Sequence, residues 1–220
     1  QNSGAKTVRI CYPADIGLHI AKAIWATRMH IKEMPPKSAP VQERTAFLGK
    51  MYVQGTAAYD ADTKAKSEID LLNKTIYEHS DKEVDSIYNQ GKAWSLEHFE
   101  LLYKRLGTQF DEYIFESQAA KPGLEIVRSE QKKGIFEESE GAIVFRGDKY
   151  GLHTRVFINK TGLPTYETKE IGLNSIKFDK YPEAAQSIII TANEQNDYFK
   201  VLIKALTLIN EKIGTKTRHI

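Results

Sequence analysis

The chain has 220 residues, 41% hydrophobic and 27% charged, a length that suits one sizeable domain or one with an insertion. No apolar run exceeds four residues, the longest being Ala23-Ile24-Trp25-Ala26 and Ala142-Ile143-Val144-Phe145, whereas a spanning helix needs about 20, so a helical membrane protein is excluded. Lys and Arg number 31 against 29 Asp and Glu, a net charge of +2, so any contact with RNA must come from local patches rather than bulk charge.

The first element expected is a strand at Thr7 to Tyr12, β-branched and aromatic, which Pro13 cannot continue. Asp15 can then cap a helix whose Ile16, Ile20, Ala23 and Ile24 recur at helical spacing until Pro35-Pro36 stops it. From Ala39 to about Gly107 the apolar residues fall on helical stripes: Val53, Ala57 and Ala58, then Ile69, Leu72 and Ile76, then Trp94, Phe99, Leu102 and Leu106. This predicts a helical block with a break around Ser80-Asp81.

The second half alternates. A strand is expected over Phe110 to Phe115 and a helix over Leu124 to Lys133, closed by Gly134 in a left-handed position. Ala142 to Phe145 and Thr154 to Ile158 read as strands on either side of a Gly-rich turn region, and Tyr166 to Phe178 as a helix after Gly162-Leu163-Pro164. Ser187 to Thr191 is apolar on both faces, the pattern of a central parallel strand. Tyr198, Leu202, Ala205, Leu206, Ile209 and Ile213 form one helical stripe, preceded by Thr191-x-x-Glu194 as a candidate capping box. Strand and helix in alternation imply an α/β chain with a parallel sheet and crossover helices.

The common catalytic signatures are absent: there is no GxGxxG after the first strand, no GxxxxGK[ST], no HExxH and no GxSxG. The six histidines lack metal-ligand spacing, and Cys11 stands alone, so neither a metal site nor an intrachain disulfide is expected. A lone cysteine fits a reducing, cytoplasmic compartment. The start at Gln1 without a signal-like segment, and the stop at Thr217-Arg218-His219-Ile220 without a tapering tail, suggest a piece of a longer protein.

Polar residues gather where the expected parallel strands end, the place where open α/β sheets bind ligands. Asp15, Gly17 and His19 follow the first strand, Glu116 follows the second, and Asn193, Glu194, Gln195 and Asn196 follow Ser187 to Thr191. Tyr166 and Glu170 lie one helical turn apart and face the same way. Two carboxylates, a tyrosine and a glutamine suit a cation, since carboxylates bind guanidinium through charge-assisted hydrogen bonds and an aromatic ring can pack over its plane. Taken singly, Asp15 and Glu194 read first as helix caps, favoured at a helix N-terminus by its dipole. Glu116 has no such reading.

Five segments carry a resemblance. Gly91-Lys-Ala-Trp-Ser-Leu-Glu-His-Phe, Tyr103-Lys-Arg-Leu-Gly-Thr-Gln-Phe-Asp-Glu-Tyr with Phe115-Glu-Ser-Gln, Glu138-Ser-Glu-Gly-Ala-Ile-Val-Phe, Gly162-Leu-Pro-Thr-Tyr-Glu-Thr-Lys-Glu-Ile-Gly and Asn193-Glu-Gln-Asn-Asp-Tyr-Phe together resemble the catalytic domain of arginyl-tRNA synthetases. The resemblance runs from about Val8 to Ile220 and is densest after Gly91. Asp15-Ile-Gly-Leu-His stands where that family has Asp-Trp-Gly-Thr-Gln, so Asp15 and Gly17 match while Ile16, Leu18 and His19 depart.

The resemblance implies a Rossmann-like parallel sheet of a class I synthetase, with residues 1–220 a partial catalytic domain and 39–107 a helical insertion. It implies L-arginine, ATP with magnesium, and tRNA-Arg as substrates and partners. Glu116 would be the family's glutamate beside a serine that contacts substrate arginine, Tyr166 and Glu170 its Tyr-x-x-x-Asp pair with the acid one methylene longer, and Gln195 a substrate-contacting glutamine. Asp15, Gly17, His19, Asn193 and Asn196 would lie in the neighbourhood of the nucleotide or tRNA end. The class motifs His-x-Gly-His and Lys-Met-Ser-Lys do not occur in these residues, which implies that the chain alone forms no adenylate. The alternative is a non-catalytic synthetase-derived module that binds RNA or protein through Lys64, Lys66, Lys74, Lys92, Lys104 and Arg105, although Glu68, Asp70 and Glu97 interleave with them.

Overall fold

The computed structural model describes residues 4–220; the start at Gln1 lies outside them. The chain divides into two compact units at Phe115/Glu116.

The first unit opens with strand β1 (Ile10–Cys11), followed by helices α1 (Leu18–Met29), α2 (Val41–Ala61), α3 (Thr63–Glu78) and α4 (Lys82–Leu106), and closes with β2 (Glu112–Tyr113). β1 and β2 pair in parallel, Ile10 opposite Glu112 and Cys11 opposite Tyr113. The expected strand over Thr7 to Tyr12 is thus shortened to two residues.

Residues 41–106 are helical as their periodicity requires, and the break at Ser80-Asp81 is present: Asp81 caps α4 by accepting from the Glu83 and Val84 amides at 2.8 and 3.2 Å. A second break, which the stripes do not reveal, falls at Asp62, whose carboxylate accepts from the Lys64 amide at 2.8 Å. Ile69, Leu72 and Ile76 pack with Ile16, Ile24 and Val84 in one core, and Phe47, Met51, Trp94 and Ala26 form another. Val53, Phe99, Leu102 and Leu106, expected on helical stripes, are exposed; the buried face of α2 carries Arg44, Phe47, Met51 and Gly55 instead, and that of α4 Val84, Ile87, Tyr88 and Trp94.

The second unit runs α5 (Glu116–Gln131), β3 (Glu137–Ser139), β4 (Ala142–Phe145), β5 (Arg155–Ile158), α6 (Tyr166–Lys180), β6 (Ser187–Ile189), α7 (Asn196–Ile209), α8 (Glu211–Lys216) and β7 (Thr217–His219). Its core gathers Val127, Phe136, Phe145, Phe157, Ile171, Phe199 and Leu202. β6 and β7 pair in parallel, as the alternation of strand and helix implies, while β3, β4 and β5, joined by turns, form an antiparallel sheet beside them. Loop length is the reason. Glu140 and Gly141, both at positive φ (50° and 80°), make a two-residue hairpin, and only nine residues separate β4 from β5, too few for the dozen or more of a parallel crossover.

Two further expectations are corrected. Ser187 to Thr191 shortens to β6, which among the described residues pairs with β7 alone and so is not a central strand there, and Ile188 and Ile190 are 54% and 77% exposed. The long C-terminal stripe is split at Asn210, which caps α8 by accepting from the Ile213 amide at 3.2 Å. Gly134 does take the left-handed position after α5, with φ 83°, but that helix begins at Glu116, eight residues before the expected start.

Candidate functional site

Glu116 is the first residue of α5, Tyr166 the first of α6, and Glu170 lies one turn further along α6. What aims them at each other begins with the loop before α6. The Asn159 carboxamide oxygen accepts from the amides of Thr161 and Leu163, both at 3.0 Å, and from the Thr161 hydroxyl at 2.8 Å, so the loop folds about one side chain. The hydroxyls of Thr165 and Thr168 both donate to the Phe157 carbonyl, at 2.9 and 2.5 Å, tying the first turn of α6 to β5.

α5 and α6 then cross with backbone against backbone. A Cβ added to Gly123 would stand 2.0 Å from the Thr168 carbonyl oxygen, and one added to Gly172 would stand 2.0 Å from that of Ala119. Only glycine allows this approach, and it packs the first two turns of α5 against the stretch of α6 between Thr168 and Gly172, where Glu170 lies. Glu116 is 4% exposed and Glu170 1%.

The electrostatics follow from that burial. Desolvation pushes the Glu170 carboxyl up to about 7, and the Glu116 charge adds to the rise, while Lys177, the Tyr166 hydroxyl and Lys169 oppose it. Burial also raises the Tyr166 phenol, with Glu170 and Glu116 contributing. The Lys177 ammonium falls to about 8 by desolvation, against the pull of Glu170, and donates to the Ser187 hydroxyl at 2.8 Å. Oε2 of Glu170 is a buried acceptor without a hydrogen-bond partner, as is Oε1 of Gln195, and such atoms are rare in folded proteins unless a ligand satisfies them.

Around this group the other charges are spoken for. Arg155 donates to Glu167 at 3.2 Å and lies over the Tyr198 ring at 5.1 Å. Tyr198 packs on Tyr166 with ring centroids 5.1 Å apart, which sets the start of α7, and Gln195 just before it, close to that aromatic pair. Asn193 and Asn196 are exposed at the same end of α7. The expected capping box is absent: Glu194 lies in a 3-10 turn, α7 has no side-chain cap, and the Thr191 hydroxyl bonds to His219 at 2.6 Å.

Asp15, Gly17 and His19 belong to the first unit. Asp15 is not a cap. Its Oδ2 accepts from the Tyr88 hydroxyl at 2.8 Å and from the Lys92 ammonium at 2.6 Å, and the N-cap of α1 is Gly17, whose φ of 130° disfavours any side chain. His19 is exposed and bonds to the Ala14 carbonyl at 3.3 Å. Asp15, His19, Lys92, His98 and Phe115 line a cavity of about 340 Å³ beside the carboxyl ends of β1 and β2. Among the described residues no group of three or more His, Cys, Asp or Glu could hold a metal ion, and no helix is long and apolar enough to cross a membrane. Of the lysines considered for RNA, Lys64, Lys74 and Lys92 are paired with Glu68, Glu78 and Asp15.

Sequence reasoning overlooked Lys169. It is 6% exposed, and its ammonium is bonded to the Glu116 carboxylate inside the group described above. In the sequence it is one charge in Thr168-Lys169-Glu170, with nothing to separate it from a solvated helix face.

Comparison with known proteins agrees with this architecture. The family described as tRNA synthetases class I (R), catalytic domain, matches residues 2–218. The arginine–tRNA ligase of Parabacteroides distasonis is 28% identical over 234 residues, covering 99% of this chain and 39% of that protein. The arginine–tRNA ligase of Treponema pallidum is 27% identical over 220 residues, covering 99% and 37%. The chain therefore spans about two fifths of the length of the curated relatives it matches. Among solved structures, the arginyl-tRNA synthetase of Plasmodium falciparum superposes with a TM-score of 0.70 at 16% identity over 98% of this chain and 35% of that one. The Thermus thermophilus arginyl-tRNA synthetase gives 0.69 at 17% identity over 99% and 42%.

Proposed function

From a chain that belongs to the class I arginyl-tRNA synthetase catalytic-domain family, we propose that Glu116, Tyr166, Glu170 and Gln195 form the side-chain subsite for L-arginine in an arginine–tRNA ligase. One observation carries the reading. The buried Oε2 of Glu170, held beside Tyr166 and Glu116, lacks a hydrogen-bond partner, and a guanidinium offers five N–H donors in a planar fork that suits a carboxylate. Tyr166, backed by Tyr198, supplies an aromatic wall and a hydroxyl, and Gln195 a second unsatisfied acceptor.

For the whole protein we propose the family reaction: the arginine carboxylate attacks the α-phosphorus of ATP, pyrophosphate leaves, and the arginyl group passes to the terminal ribose of tRNA-Arg. Binding and orientation of the amino acid are what this chain contributes, fixing the carboxylate for attack and excluding water from the guanidinium. Magnesium would arrive on the ATP phosphates, since the described residues offer it no cluster of ligands. Asp15, Gly17, His19, Asn193 and Asn196 are proposed for the nucleotide or tRNA end, and residues 39–107 as an insertion within the partial catalytic domain.

Isothermal titration with L-arginine tests the subsite. Heat of binding is expected from the chain and its loss from Glu116→Ala and Glu170→Gln; equal heats from all three would remove the assignment. ATP–pyrophosphate exchange by the isolated chain is expected to be negligible, because the His-x-Gly-His and Lys-Met-Ser-Lys motifs are not among its residues. Arginine-dependent turnover would overturn that part.

A further inference from the structure

Lys169 poses a question that the arginine subsite leaves open. A buried ammonium sits within a group built for a cation: its side chain is 8% exposed and that of its partner Glu116 5%. Burying a charge is tolerated where a counter-charge and hydrogen bonds compensate it. The close crossing of α5 and α6 at Gly123 and Gly172 holds both ends of this pair in place.

We propose that Lys169 is a positioning and charge-setting residue of the arginine subsite, holding the Glu116 carboxylate and cancelling its charge so that the cluster takes up one cation through Glu170. The proposal rests on the arginine reading and adds to it. Without Lys169, two carboxylates would stand together in a buried site, and like charges so placed resist joint ionisation. With it, Glu116 keeps a fixed orientation and its field on Glu170 is balanced. The charged and titratable groups acting on Glu170 are Glu116 from α5 and Tyr166, Lys169 and Lys177 from α6. Glu167 is turned to Arg155 of β5. Among the groups acting on Glu170, Glu116 raises its carboxyl and Lys169 lowers it, the signs that a mutual cancellation requires.

The test reads Glu170 itself, so that it does not depend on a ligand. The chain labelled with ¹³C at glutamate carboxyls is titrated by NMR, with Glu170→Gln identifying the resonance. Lys169→Met is expected to move the Glu170 midpoint up by about one pH unit or more, Glu116→Gln to move it down, and Lys169→Arg to leave it near the wild-type value. Opposite signs from two variants that both remove half of one pair cannot come from general loosening of the fold. The double variant is expected to return towards wild type. If Lys169→Met fails to fold, the downward shift in Glu116→Gln and the retention in Lys169→Arg still decide the matter. Unmoved midpoints, or shifts of the same sign, overturn the proposal. L-arginine titrations on the same samples separate the two claims: an absence of arginine heat beside the opposed shifts removes the arginine reading and leaves the role of Lys169 towards Glu170 standing.

Discussion

Gly172 faces the Ala119 carbonyl so closely that a Cβ added to it would stand 2.0 Å from the oxygen. Gly172→Ala must therefore push α6 away from α5, against a gain of only about 1 kcal/mol from better helix propensity. Overpacking of this kind costs about 1–3 kcal/mol, sometimes more, so a net loss of stability is expected. Urea denaturation measures it, and an unchanged or higher midpoint would contradict the crossing. Because the same crossing packs the Glu116 end of α5 against the turn of α6 that carries Lys169 and Glu170, the variant is also expected to lose arginine binding.

Burial of Glu170 makes stability depend on pH with a defined sign. Its carboxyl titrates near 7 in the fold against 4.5 ordinarily, so between those values the native state holds a proton that the unfolded chain releases. The contribution is full below pH 4.5 and is lost as pH rises through 7, a change of roughly 3 kcal/mol. Lys177 acts in the opposite sense at higher pH: its ammonium titrates near 8 against 10.5, so its penalty fades as pH rises from 8 towards 10.5. The difference in unfolding free energy between wild type and Glu170→Gln isolates the first effect. It should decline from pH 4.5 to 7, and a difference that stays flat across that range would refute it.

Arginine binding should release a proton below pH 7. A guanidinium docked on Glu170 favours the ionised carboxylate, so about one proton is expelled per arginine at pH 6 and few at pH 8. Titration in two buffers of different ionisation enthalpy reads this directly. Identical apparent heats in the two buffers at pH 6 would count against Glu170 as the acceptor.

Asp15 holds Tyr88 and Lys92 together at 2.8 and 2.6 Å from one oxygen. Its removal leaves a partly buried ammonium without its acid, which should cost on the order of 2–4 kcal/mol, somewhat less than a fully buried pair. A double-mutant cycle of Asp15→Asn with Lys92→Met measures the coupling, expected above about 1 kcal/mol. Additive effects would return Asp15 to the status of a simple helix-start residue.

Local features were legible in the order of the residues. Apolar spacing located the buried stripe Ile69, Leu72 and Ile76, Gly134 marked a left-handed turn, and the four-residue step from Tyr166 to Glu170 put both on one helix face. The ordered segments from Gly91 to Phe199 pointed to the family that matches residues 2–218.

Pairing between distant residues emerged with the packing of the folded chain. Asp15 read as a cap because its partner Lys92 lies 77 residues away, and Lys169 drew no notice because Glu116 lies 53 residues away. Whether β4 and β5 run parallel depended on nine intervening residues, and whether Ile188 and Ile190 were buried depended on which strands flank them. A helical or strand period records which face a residue occupies. What that face meets is set by long-range packing, and here the close glycine contacts of α5 and α6 carry Glu116, Lys169 and Glu170 into one desolvated group.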